Sequence, residues 1–362
     1  MYLTGLTLEN YRNYRSLKLS LKPGLNVLTG ENAQGKTNLL EAVYFTSIGK
    51  SMRTPRDKEL IMWGEDRARI KAEAVGRYGR KKVEFLIDKR DNKRVAINGA
   101  EVRKLGELMG VIMTVLFSPD EIAVIKNSPG DRRRFMDIAV CQLSRAYFYL
   151  LSRYNKTLAQ RNRLLKSGTD GGTLDIWDMQ LAGAGAKVIK TRRGFINRLS
   201  ALADRNHRYL TSDKESLTLN YESLAGETEE EIRDVFLSEL KRTRDKDVLY
   251  GFTHVGAQTD DFAVLAGDVD VRKYGSQGQQ RTAALSLKLA ELDLFKEESG
   301  EDPVLLLDDV FSELDEKRQE KLISRLSGFQ TVVTCTHVEE NLKRYFTDAN
   351  FFRVQNGTVS EV

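Results

Sequence analysis

The residues Gly30-Glu31-Asn32-Ala33-Gln34-Gly35-Lys36-Thr37 follow the spacing G-x-x-x-x-G-K-[ST]. Their surroundings suit that pattern, because an apolar stretch at 25–28 runs into the first glycine and a helical pattern over 36–47 starts at the lysine. Such a loop holds phosphate. Gly30 and Gly35 let the backbone wrap tightly, so that successive N–H groups converge on phosphate oxygens at a positive helix end. Lys36 reaches the β and γ phosphates as a point charge, and the Thr37 hydroxyl is a Mg²⁺ ligand. Glu31, Asn32, Ala33 and Gln34 supply the loop backbone and Asn38 follows on the first helical turn. Residues 30–38 are therefore assigned to a nucleoside triphosphate.

A second group lies near the other end of the chain. Pro303-Val304-Leu305-Leu306-Leu307-Asp308-Asp309 reads as an apolar strand that ends in two carboxylates. Beside a phosphate loop, Asp308 is assigned to Mg²⁺ and Asp309 to polarising the attacking water, with a helix cap or turn as the competing role for Asp309. Upstream, Tyr274-Gly275-Ser276-Gln277-Gly278-Gln279-Gln280-Arg281 opens a helix. Ser276, Gly278 and Gln279 sit where a helix start offers free N–H groups and a hydroxyl to an anion. For Ser276 alone, capping its own helix is the simpler role. The acidic strand just downstream and the phosphate loop upstream favour the anion.

These groups need a scaffold, and the pattern supplies one. Residues 1–127 alternate strands and helices: half-buried strands around Leu3, Leu6 and Leu8 and around Leu17, Leu19 and Leu21, further strands at 68–75 and 83–87, an Asn98-Gly99 hairpin turn, and an apolar strand at 111–117. From Asp131 to Lys166 there is no proline or glycine, and Met136, Val140, Leu143, Tyr147, Leu150 and Tyr154 recur at four- and three-residue steps. Residues 168–172 break this run, and Trp177, Leu181, Ala184, Val188, Thr191, Phe195 and Leu199 repeat the rhythm. An antiparallel hairpin is expected, with arms on the order of 50 Å long, either protruding or packed in a bundle. A mixed pattern returns after 210. The expected division is an α/β lobe that carries the phosphate loop, 1–127 with 250–362, and an inserted mainly helical lobe, 128–249.

Composition bounds the alternatives. In 362 residues, 41% are hydrophobic and 30% charged, which excludes disorder, fibrous repeats and a disulfide scaffold. Fifty-seven Lys plus Arg against 52 Asp plus Glu leave a formal charge of +5, so a nucleic-acid partner must be argued from local clusters. Three clusters stand out: Lys50, Arg53 and Arg56; Arg132-Arg133-Arg134; and Lys187, Lys190, Arg192 and Arg193. Each is either a solvated face or a DNA contact. Cys141 and Cys335 match no metal or redox spacing, no apolar run is long enough for a membrane span, and the opening residues do not read as a signal peptide. A cytoplasmic protein is expected.

Taken together, the phosphate loop, the acidic strand and Ser276-Gln277-Gly278-Gln279-Gln280 in the place of a signature helix resemble an ATP-binding-cassette ATPase head, an α/β fold with a mixed sheet and a phosphate-loop core. Ser312-Glu313-Leu314-Asp315 resembles the loop after the acidic strand, and Thr336-His337 the switch histidine, a position where a plain surface histidine is equally expected. Within that superfamily the chain is similar to the RecF family of bacterial recombination-repair proteins. The shared stretches are Asn10-Tyr11-Arg12-Asn13-Tyr14, residues 30–42, 49–54, Phe117-Ser118-Pro119, residues 128–137 and 305–315. It departs from the family at Gly256-Ala257-Gln258-Thr259-Asp260-Asp261, where Gly-Pro-His-Arg-Asp-Asp is usual, and it has no glutamine after the 111–117 strand.

The resemblance implies that ATP bridges two copies, with the signature of one closing over the γ-phosphate held by the other. His337 would then join Lys36 and Asp309 among the catalytic groups. It further implies binding to double-stranded and to gapped or junction DNA, association with the nucleoid, RecO and RecR as partners, help in loading RecA, and DNA-stimulated ATP hydrolysis. With Asp309 in place of a longer glutamate, that hydrolysis is expected to be slow. Two rival readings are an SMC-like structural DNA clamp, disfavoured by the short coiled-coil segment, and a transporter ATPase subunit, disfavoured by the long insertion.

Overall fold

The helix that follows the phosphate loop is apolar on every side and so belongs in a core rather than on a surface. The computed structural model, which describes residues 1–168, 171–337, 346 and 348–362, buries it between two sheets. The chain opens with β1 (Tyr2–Tyr11), β2 (Tyr14–Ser20) and β3 (Leu25–Thr29), then forms this helix, α1 (Lys36–Ile48). It continues through β4 (Arg67–Gly76), β5 (Gly79–Asp88), β6 (Arg94–Ile97), β7 (Ala100–Glu101) and β8 (Thr114–Phe117). A middle stretch holds α2 (Ala123–Lys126), α3 (Pro129–Leu143), α4 (Arg145–Ser167), α5 (Gly171–Thr211), β9 (Leu217–Glu222), α6 (Glu229–Arg242) and α7 (Arg244–Tyr250). After β10 (Asp261–Ala266), β11 (Val269–Asp270) and α8 (Val271–Tyr274) comes α9 (Gln277–Ser299). The last elements are β12 (Val304–Asp308), α10 (Glu316–Leu326), β13 (Thr331–Cys335), β14 (Asn350–Gln355) and β15 (Thr358–Glu361).

These elements form two compact units, Met1–Glu121 with Glu291–Val362, and Ile122–Ala290. In the first unit an antiparallel sheet runs β2-β1-β4-β5-β6-β7 and a second sheet runs β15-β14-β3-β13-β12-β8. The strands from β14 to β8 are parallel, and only β15 is antiparallel. Phe45 of α1 meets Phe85 of β5 edge-on, with ring centroids 4.7 Å apart. On the opposite side of the helix, the Ser47 hydroxyl lies 2.8 Å from that of Thr114 on β8. The hairpin turn between β6 and β7 has Asn98 and Gly99 at positive φ, 51° and 86°, as the Asn-Gly pair requires.

Three expectations change. The strand expected over 111–117 starts at Thr114, because its ladder partner starts at Val304; residues 111–113 are a buried apolar turn. The helical run expected over 131–166 breaks at Ser144, whose backbone is extended and whose Oγ accepts the Tyr147 N–H at 3.2 Å. Ser at that position caps a new helix more favourably than it continues the old one. Finally, the middle unit runs on to Ala290 instead of ending at 249, because β10 pairs with β9 along its whole length. That pairing ties residues 261–266 to the inserted segment.

In the middle unit α4 and α5 pack antiparallel, since late α4 (Arg161) meets early α5 (Asp178) and early α4 (Tyr147) meets later α5 (Arg192). α5 also packs on α3, α6 and β9, so the pair belongs to a bundle. The fully buried Arg161 bonds Asp178 at 2.6 Å, Asp247 at 2.7 Å and the Thr253 hydroxyl at 2.8 Å. Removing one member of a buried ionic cluster strands the others. Arg161→Ala is therefore expected to destabilise the middle unit by about 3–5 kcal/mol, read as a lowered urea midpoint of its unfolding. A midpoint unchanged from wild type would contradict this.

Candidate nucleotide site

Parallel pairing brings the two sequence groups together. β13 pairs with β3 on one side and β12 on the other, with Thr334 opposite both Leu28 and Asp308. The phosphate loop and the carboxylates thus leave the same edge of the sheet, at the carboxyl ends of its strands, where open α/β sheets bind ligands. The Thr37 Oγ1 donates to Asp308 Oδ1 at 2.9 Å, and Thr334 Oγ1 donates to the same oxygen at 2.7 Å. A hydroxyl and a carboxylate side by side are hard oxygen donors. They fit Mg²⁺, which keeps most of its shell for phosphate and water.

The glycines are required by close approach. A Cβ on Gly30 (φ 155°) would lie 2.3 Å from the Val354 carbonyl oxygen, and one on Gly35 (φ 115°) would lie 2.5 Å from Asn13 Nδ2. Ala33 is also left-handed, at φ 65°, which curls the loop. Lys36 Nζ donates to the carbonyl oxygens of Gly30 and, at 2.8 Å, Glu31. Burial lowers the Lys36 pKa, partly offset by the negative charges of Asp309 and Asp308. A buried cation whose neighbours only partly compensate it attracts an anion. Burial also pushes the neighbouring Cys335 thiol up to about 11, so it stays a neutral thiol beside Lys36.

Asp309 follows the strand at φ 51°, a left-handed conformation that costs an L-residue energy and that Asp tolerates better than most. Its N–H is held by the Thr334 carbonyl at 3.2 Å and hydroxyl at 3.1 Å. Its carbonyl accepts from the Ser312 hydroxyl at 2.7 Å, which fixes the turn that follows the strand. Asp315 caps α10, accepting the Arg318 N–H at 3.0 Å.

Thr334 belongs to no sequence motif, although its place at a strand end beside the acidic strand marks it. The opening motif also finds its purpose here. Asn13 Nδ2 donates to the Gln34 carbonyl at 2.9 Å, and Tyr14 Oη donates to the Gly35 carbonyl at 3.0 Å, clasping the loop from outside. Arg12 and Tyr11 bond the fully buried Glu41 of α1, Arg12 through both carboxylate oxygens at 2.9 Å and Tyr11 at 3.1 Å. Burial, then the Glu41 charge, raises the Tyr11 pKa well above its ordinary value, so its hydroxyl remains a donor. Asn38 is bonded to Asn13 and to Arg53, each at 2.8 Å.

In the middle unit, Ser276 is exposed at the start of α9. Its N–H donates to Gln279 Oε1 at 3.0 Å and its Oγ accepts the Gln279 N–H at 3.3 Å, a reciprocal capping box. Gly278 lies in the same turn, and a Cβ there would meet nothing closer than the Ser276 Oγ at 4.0 Å. In the first unit, His337 lies exposed just past β13, its Nδ1 3.2 Å from the Thr336 hydroxyl.

Two of the three basic clusters are partly internal. Arg132 is buried in a two-bond pair with Asp261, at 2.5 and 2.9 Å. Arg192 is buried among Asp137, Asp260 and the Ala257 carbonyl, and Arg193 is bonded to the Gly226 and Leu224 carbonyls. These arginines hold the bundle instead of facing a partner, because each finds an acidic or carbonyl acceptor remote in sequence. Lys187, Lys190, Lys50, Arg53 and Arg56 are exposed. The divergent 256–261 segment is also structural. Gln258 Nε2 donates to the Val255 carbonyl at 2.9 Å while its Oε1 accepts from Tyr154, and Asp260 accepts from Tyr221 and Arg192.

Comparison with known proteins adds five findings. A family model described as the RecF/RecN/SMC N terminal domain matches residues 2–360. The chain is 42% identical to the DNA replication and repair protein RecF of Clostridium tetani (strain Massachusetts / E88), covering 100% of both, and 43% identical to that of Agathobacter rectalis, covering 100% of this chain and 99% of the other. Among solved structures it is similar to the recombination mediator protein RecF with ATP, of the RecFOR pathway, with a TM-score of 0.93 at 37% identity over 100% of this chain and 97% of that one. An Smc head bound to the C-winged helix domain of ScpA shares the fold, with a TM-score of 0.60 at 15% identity over 100% of this chain and 97% of that one.

Proposed function

The chain belongs to the RecF family within the RecF/RecN/SMC group, and from that premise we propose that it is an ATP-binding DNA replication and repair protein of the RecFOR type. Two copies close on ATP at DNA gaps or single-strand to double-strand junctions, help load RecA with RecO and RecR, and separate after slow, DNA-stimulated hydrolysis. The observation that carries this is the meeting of the phosphate loop and the acidic strand, with Thr37 and Asp308 2.9 Å apart.

Each residue then has a part. Residues 30–38 cradle the triphosphate, and Lys36 exchanges its two loop carbonyls for phosphate oxygens. Thr37 and Asp308 would hold Mg²⁺, which supplies charge neutralisation between the phosphates. Asp309, projecting from a constrained turn, orients water for attack on the γ-phosphate. Ser276, Gly278 and Gln279 of the second copy present N–H groups and a hydroxyl to the same phosphate. His337, at the edge of the site strand, is assigned to the γ-phosphate side of the closed pair.

Sedimentation tests the reading. The chain should shift from monomer to dimer with non-hydrolysable ATP and further towards dimer with gapped DNA. A monomer under both conditions would overturn it. DNA contact is assigned to the exposed lysines and arginines. Replacing Lys50 and Arg56 by Gln should reduce the dependence of log affinity on log salt by about 0.9 for each DNA phosphate that is no longer neutralised. An unchanged slope would move the DNA path elsewhere.

A further inference from the structure

We propose that Glu215 is a positioning residue that tethers the start of α9, and with it Ser276, to the end of α5. This rests on the reading of Ser276 as a group that faces the phosphate held by another copy.

The capping box at the start of α9 uses only the oxygen of the Gln279 side chain. Its amide nitrogen reaches outside the helix and donates to Glu215 Oε1 at 3.1 Å. The other carboxylate oxygen of Glu215 lies 3.5 Å from Nε2 of His207, which is fully buried on α5. His207 Nδ1 is in turn 2.9 Å from the hydroxyl of Ser286, further along α9. That hydroxyl donates its own proton to the Thr282 carbonyl at 2.7 Å, so towards His207 it accepts. The end of α5 therefore grips α9 at two levels, through His207 on Ser286 and through Glu215 on Gln279.

The chain takes an unfavourable route to place Glu215 there. Ser212 and Asp213, just after α5, are both left-handed, at φ 55° and 57°. Two successive non-glycine residues in that region persist only where surrounding bonds over-determine them. The Asp213 N–H bond to the Arg208 carbonyl at 2.8 Å is one such bond. The sharp turn brings the carboxylate back over the α9 start, where an ordinary exposed helix terminus needs only its own box. Fixing the Gln279 side chain fixes the Ser276 N–H and hydroxyl before any phosphate arrives, which spares the ordering cost on closure.

The test uses the full chain and four variants, with ATP-dependent association read by sedimentation and nucleotide affinity by calorimetry. Glu215→Ala should weaken association about tenfold, the cost of ordering one freed Gln279 side chain in each of the two copies, with nucleotide affinity per protomer unchanged. Glu215→Gln, which keeps an oxygen for Gln279, should restore most of it. Gln279→Glu preserves the capping box but sets two carboxylates face to face, and should associate as poorly as Glu215→Ala. Wild-type association by Glu215→Ala, while Ser276→Arg fails to associate, would overturn the tether alone. A parallel loss of nucleotide affinity in Glu215→Ala would also overturn it, as a general folding defect. Normal association by Ser276→Arg would overturn instead the reading on which the tether rests.

Discussion

Lys36→Met is expected to reduce ATP turnover by at least about 10²–10³-fold, the scale for losing one preorganised charge-stabilising donor. It should also weaken triphosphate binding, so that DNA-dependent phosphate release falls to background at any practical ATP concentration. Lys36 is buried, its pKa is lowered by burial, and its ammonium rests on the loop's own carbonyls until phosphate oxygens replace them. Methionine matches the length of the stem but brings no charge, and the Gly30 and Glu31 carbonyls lose their donor. The fold should survive, because α1 is held by apolar contacts with both sheets and by the Glu41 cluster. The check is phosphate release with and without gapped DNA beside a thermal melt. Wild-type turnover by Lys36→Met would remove the loop from the chemistry.

Ser276→Arg should leave nucleotide binding intact and abolish ATP-dependent association. Ser276 is exposed, and on the proposed reading it meets the phosphate held by the other copy, so its own chain's nucleotide does not need it for binding. A closed pair contains the contact twice. Losing two hydrogen bonds to charged phosphate, at about 1.5–3 kcal/mol each, weakens association by roughly 10²–10⁴-fold. The long side chain also fills the space before the helix start. Loss of the N-cap costs about 1 kcal/mol locally, too little to unfold α9. Sedimentation with non-hydrolysable ATP decides the matter, and a normal dimer would contradict the shared site.

Local signals were easy to read, and remote ones were not. The loop from Gly30 to Thr37 announces itself because each residue serves its immediate neighbours. The strand from Val304 to Asp308 is legible because it is buried on both faces and ends in charge. The role of Arg132 is hidden because its partner, Asp261, lies 129 positions away. A run of three arginines advertises a surface, whereas one of them is a buried strut. The break at Ser144 was obscured by good heptad spacing on both sides of it, and the end of the insertion by a β9–β10 pairing across the intervening helices. Thr334 and Asn13 became visible as site residues only once parallel pairing and the β1–β2 hairpin placed them against the loop.

The strand that leads into the phosphate loop, β3, has β14 on one side and β13 on the other, both from the far end of the sequence. During translation at about 5–20 residues per second, the loop emerges from the ribosome tens of seconds before either flanking strand exists. A half-made polypeptide therefore carries the motif without the pocket. On the proposed reading it cannot close on a sister chain prematurely, and its uncovered apolar strand awaits the strands that flank it or the protection of a chaperone.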